Sequence, residues 1–245
     1  MPIATALFLI AAVTTTSLIS GVFGMAGGMI LLWILFGMLP VGAAIAVQGV
    51  IQIMANGVRA IMVRDYVDWG ILARMLTGLA AAALLLMLVR YEPDLRTISI
   101  VIGLLPILVW IPKSWLTLDA SKPLHALANG FIGGLLNITV GVAGPTMDIF
   151  FIRTEMDRRR VIATKAAMQV LSHLAKVMFY AGAAFEMEGD VVLALLVAAP
   201  FVVLGTWMGN FILHRITDAG FRRMTRLLVT AIGFVFLLRG LGLVP

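Results

Sequence analysis

Gln48, Gln52, Asn56 and Arg59 follow one another at intervals of four, four and three in a chain that carries no charged side chain before Arg59. On an α-helix those intervals confine the four to one face, within an arc of about 80°. A second set, Lys165, Gln169, His173 and Lys176, repeats the spacing, and Ser172 extends its polar face. Amide donors with fixed cations form the chemistry of anion binding. The opposite reading makes Gln and Asn interhelical hydrogen-bond partners and lets Arg59 and Lys176, near helix ends, reach toward head groups. That reading fits Lys165, Gln169 and His173 less well, because a charge kept at mid-membrane depth normally lines a cavity or a substrate path.

Two glycine clusters accompany the stripes: GMAGG, Gly24 to Gly28, and GVAGP, Gly141 to Pro145. Small residues allow close helix packing. Each cluster also precedes a short apolar run, and Pro145 suits the first turn of a helix. A helix N-terminus at that depth presents unpaired N–H groups and the positive end of the dipole, so Gly27, Gly28 and Gly144 become candidates for an anion cradle, with the hydroxyls of Thr139 and Thr146 beside them. Asp148 is expected either to cap that helix or to carry a proton. His173 is the other titratable candidate for proton coupling.

The elements that must hold these residues lie in a bilayer. Of 245 residues, 62% are hydrophobic and 12% charged, and the mean hydropathy is +1.07, which places the chain among polytopic membrane proteins. The apolar start lacks the basic n-region of a cleavable signal peptide and reads as part of the fold. With no cysteine, disulfides and thiolate chemistry are excluded, and His125, His173 and His214 are too dispersed for a metal site. No cofactor and no metal are expected, and the absence of a nucleophile–base arrangement argues against an enzyme. The net charge of +6 sits in short loops between apolar runs, so nucleic acid is not the expected partner. MDRRR, Met156 to Arg160, reads as a topology signal and phospholipid contact that also draws anions inward.

A shift of 117 lays Gly24 on Gly141, Gln48 on Lys165, Gln52 on Gln169, Asn56 on His173 and Arg59 on Lys176. The chain therefore reads as two repeats, 1–121 and 122–245, in one integrated membrane domain. Each holds about four transmembrane segments, of which the first is Gly-rich and broken or hairpinned. The uncharged stretch before Arg59 would be about 87 Å long as a helix, against a hydrocarbon core of about 30 Å. Pro123 to Ile152 would be about 45 Å, suited to two short legs meeting at the glycine cluster. Hairpins of that kind give each half an odd number of passes and invert one repeat against the other. Charge agrees: the basic loops then share one side, opposed among the loops by Arg90 and Arg96, while EMEGD, Glu186 to Asp190, is acidic on the other side. The expected fold is an all-α polytopic membrane protein with inverted repeats.

GVFGMAGGM and GGLLNITVGVAGP, together with the length and the two-repeat plan, resemble the sulfite exporter TauE/SafE family of anion permeases over nearly the whole chain. Ala26 interrupts the first glycine run, and GPTMDIF replaces the usual continuation of the second. The resemblance implies movement of sulfite or an organosulfonate, such as sulfoacetate or a taurine-derived anion, across a bacterial inner membrane, more often outward. The site it would use combines Gln52, Arg59, Lys165, Gln169, His173 and Lys176 with Gly27, Gly28, Gly144 and Thr146. A permease for a carboxylate or inorganic anion and a non-transporting assembly protein remain the alternatives. Expected partners are the small anion and the lipid bilayer, with a homo-oligomer left open.

Overall fold

The computed structural model describes residues 3–115, 117–151, 153–185, 189–213 and 215–244. His214 and Glu186 to Glu188 of the acidic loop lie outside them. The described residues form an all-helical bundle. Its first half comprises α1 (Ile3–Phe23), α2 (Met25–Phe36), α3 (Val41–Met62), α4 (Trp69–Leu88), α5 (Leu95–Leu104) and α6 (Pro106–Trp110). The second comprises α7 (Pro123–Val140), α8 (Gly144–Phe151), α9 (Arg158–Phe179), α10 (Ala181–Phe185), α11 (Gly189–Leu213) and α12 (Asp218–Gly240).

Both expected breaks occur at glycine. Gly24 ends α1 with φ 67° and Gly141 ends α7 with φ 82°, backbone conformations that favour a residue without Cβ. In each half the chain then turns back as a shorter helix against the one it has left. Gly27 makes the first return possible, because a Cβ there would overlap the backbone of Thr16 and Ser20 on α1. At about 1.5 Å per residue α2 and α8 are about 18 and 12 Å long, each far short of a bilayer core.

The packing exchanges partners between the halves. α1 runs along α11, and its counterpart α7 runs along α4. Glycine brings both pairs together: Gly205 and Gly209 meet the α1 backbone at Thr14 and Leu18, and Gly78 meets the α7 backbone at Leu127 and Phe131. Two further pairs match a helix with its own counterpart. In α3 and α9, Gly42 lies by Tyr180 and Gly49 by Lys176, whereas Asp68, beyond the other end of α3, bonds Thr164. In α5 and α12, Arg96 reaches Gly240 while Trp110 reaches Thr230. Both pairs are antiparallel, the relation produced by a two-fold axis lying across the helices, and consistent with inverted repeats.

By length and composition α3, α4 and Leu195–Leu213 of α11 can each cross a membrane. α9 is much less apolar, although its 22 residues span about 33 Å. The cause is its load of Arg158, Arg159, Arg160, Lys165, His173 and Lys176. At one end of the bundle Asp68 ties α4 to α9. Its Oδ1 accepts the Ile71 N–H at 3.0 Å to cap α4, its Oδ2 accepts Arg160 at 2.6 Å, and its own N–H donates to Thr164 Oγ1 at 2.9 Å.

Candidate functional site

The two hairpin tips meet between α3 and α9. Gly24, Met25 and Gly28 of the first tip and Gly141 to Gly144 of the second close around a cavity of about 30 Å³, room for about two waters. Gln48, Gln52 and Asn56 of α3 supply one wall, and Gln169 and His173 of α9 supply the other. Helix spacing explains the gathering: residues three or four apart share a face, and antiparallel crossing turns the two polar faces toward each other.

The wall is fixed by hydrogen bonds that use the amides in both senses. Gln48 Nε2 donates to Gly28 O at 3.3 Å, while its Oε1 accepts Lys176 Nζ. Asn56 Nδ2 donates to Gln52 O at 2.9 Å and to Gln52 Oε1 at 3.3 Å. A Cβ at Gly28 would collide with Gln52 Nε2, so only glycine leaves the cavity open at this point. His173 is 8% exposed, and its Nδ1 has no hydrogen-bond partner among the described residues.

The cations stand one residue behind the wall. Arg59 donates to the Ser20 carbonyl at 3.2 Å, and Ser20 lines the cavity. Lys176 is fully buried and donates to Gln48 Oε1 and to Gly141 O, the latter at 3.3 Å. Arg59 thus holds a carbonyl in the last turn of α1, and Lys176 holds the carbonyl of Gly141, which caps the end of α7. That is the end where the dipole attracts a positive charge. The first turns of α2 and α8, with their N–H groups, open from the same tips.

Of the residues singled out in the sequence, Gln52, Gln169, His173, Gly28 and Gly144 line the cavity. Arg59 and Lys176 touch its wall residues. Gly27 lies inside the first hairpin, and Thr146 is buried with its hydroxyl unpartnered among the described residues. Thr139 turns its hydroxyl back to Leu135 O. Asp148 is the fifth residue of α8, beyond the first turn where a cap would act, and its carboxylate pairs with Lys165. Sequence reasoning did not assign Ser20 and Met25 to the site, although Ser20 stands out as a hydroxyl four residues before Gly24.

The family model described as Sulfite exporter TauE/SafE matches residues 8–236. The chain belongs to the sulfite exporter TauE/SafE family. No curated protein and no solved structure matches it significantly. A TauE/SafE member is a membrane transporter of sulfite-type anions, and the all-helical, multi-pass fold agrees with that role. In this member the glycine clusters GMAGG and GVAGP form the tips that bound the polar cavity.

Proposed function

We propose that the chain exports a small sulfur-containing anion, sulfite or an organosulfonate such as sulfoacetate, across a bacterial inner membrane. The observation that carries the reading is the cavity itself, lined by two helix N-termini and six polar residues and backed by Arg59 and Lys176. Helix N-termini and amide donors favour negatively charged oxygens. Gln52, Gln169 and His173 contact the anion, Gly28 and Gly144 let the backbone approach it, and Arg59 and Lys176 set the potential. In this reading the repeats, 1–121 and 122–245, are inverted and rock about the α3–α9 contact to expose the site to either side.

Direction follows from charge. A monovalent anion leaving a negative-inside cell gains about 2.3 kcal/mol per 100 mV, a concentration ratio of about fifty. Export therefore needs no coupled ion. Uptake would require one, and His173 is the titratable side chain in the cavity wall, while Asp148 is held by Lys165.

The test is thermal unfolding of the purified protein in detergent with sulfite, sulfoacetate, taurine, sulfate, lactate and chloride at matched ionic strength. A ligand that binds the folded state at a hundred times its dissociation constant adds about 2.7 kcal/mol. Stabilisation by sulfite or sulfonates above lactate and chloride supports the reading. Preference for lactate would move it to a carboxylate permease, and no response to any anion would favour an assembly protein.

A further inference from the structure

We propose that the ion pair between Lys165 and Asp148 is the gate that closes the cavity toward the end of the bundle bearing Arg158, Arg159 and Arg160. The proposal rests on the anion-transport reading and assigns that site its barrier on one side.

The pair stands one turn outside the cavity on two helices at once. Along α9 the cavity is lined by Gln169 and His173, and Lys165 lies four residues before Gln169 on the same face. Along α8 the cavity is lined by Gly144, and Asp148 lies four residues after it. Because α8 ends at Phe151 and α9 begins at Arg158, both helices give the same order: cavity, pair, basic end. At about 1.5 Å per residue Lys165 is about 10 Å in from the start of α9 and His173 about 22 Å. Exposure falls across that step. The side chains of Lys165 and Asp148 are 25% and 42% exposed, whereas His173 behind them is 8% exposed. Charged groups at such a depth normally face a water-filled path and not lipid.

Packing alone does not demand the pair, as the other half shows. The shift of 117 that relates the stripes lays Leu31 on Asp148 and Gln48 on Lys165. Leu31 is fully buried, and Gln48 is fixed by Gly28 O and Lys176. The first half thus fills the same two positions with an apolar side chain and an amide. A part-exposed ion pair adds little stability and separates readily, which suits a contact that must open and reclose as α8 moves against α9. An anion arriving from the basic end offers Lys165 a second partner, so the pair can part without leaving the lysine unmatched.

The chain has no cysteine, so a single introduced thiol reports alone. His173→Cys places it in the cavity wall, two turns beyond Lys165. Membrane vesicles with the basic end outward are treated with two impermeant methanethiosulfonates, one anionic and one cationic. Labelling follows the population of the open state, and it should be slow in this background and about tenfold faster for both reagents once Asp148→Asn or Lys165→Gln is added. The exchanged pair, Asp148→Lys with Lys165→Asp, should return it to the slow rate. A purely electrostatic effect moves the two reagents in opposite directions, and that result overturns the proposal, as do unchanged rates. Ser99→Cys, buried on α5 and placed instead as the single thiol, should stay unreactive throughout; labelling there reports general loosening and also overturns the proposal. The two single substitutions act on opposite members of the pair, so the comparison stands if one of them does not fold. The assay needs no transported anion, so failure of sulfite or sulfoacetate to bind, measured separately, is distinguishable from failure of the gate.

Discussion

Replacing Lys176 by Gln removes a charge from behind the second tip while keeping a side chain that can donate to one of its two carbonyl partners. Nζ stands one contact back from the cavity, so it acts on a bound anion through space. Taking a separation of about 6 Å and an effective dielectric of about 20, its attraction for a unit negative charge is about 2.8 kcal/mol, or about a hundredfold in affinity. For a dianion the effect is larger. Folding should suffer much less. One carbonyl loses its donor, a cost of about 1–3 kcal/mol, and the relief of a buried unmatched charge offsets part of it. Dissociation constants for sulfite on wild type and Lys176→Gln, measured beside their thermal midpoints, separate the two effects. A variant that folds and binds within threefold of wild type refutes the electrostatic role given to Lys176.

The two adjacent glycines should fail differently. Gly27→Ala forces a methyl into the α1 backbone and should cost about 1–3 kcal/mol of stability, read as a lower thermal midpoint. Gly28→Ala meets only the ends of Gln52 and Gln48 at its closest contacts, so it should fold and lose anion binding; retained binding would show that the cavity is not the site. Asp68→Ala removes the α4 cap and the partner of Arg160, a loss of about 1–2 kcal/mol, and a double-mutant cycle with Arg160→Ala should show coupling. Asp94 caps α5, and bonds from the Thr97 hydroxyl and N–H hold its carboxyl below the usual range. The stabilisation it gives is therefore present above the ordinary Asp value and lost as pH falls through the depressed one; Asp94→Asn should flatten that acid limb of the thermal midpoint.

The polar stripes were legible because helical periodicity is local: four residues on one face remain on one face wherever the helix packs. The hairpins were legible for a similar reason, since a glycine cluster between two apolar runs too short to cross twice leaves few other geometries. Assignments that depend on long-range return were not. Asp148 and Lys165 are 17 residues apart on different helices, and only the way α8 leads into α9 makes them partners. Nor did the stripe show that Arg59 and Lys176 would stand behind the wall, because periodicity gives the face of a side chain and not its reach. Gly78, Gly205 and Gly209 read as ordinary small residues until the exchange of partners between halves gives each a backbone to meet.

The most direct test of the central claim is flux of labelled sulfite or sulfoacetate from proteoliposomes holding the purified chain, with a potential imposed by a potassium gradient. The expected result is saturable efflux that speeds up when the interior is negative and is abolished by Gln52→Ala with Gln169→Ala in a protein that still folds. Flux equal to that of protein-free liposomes for both anions, at either polarity, would contradict it.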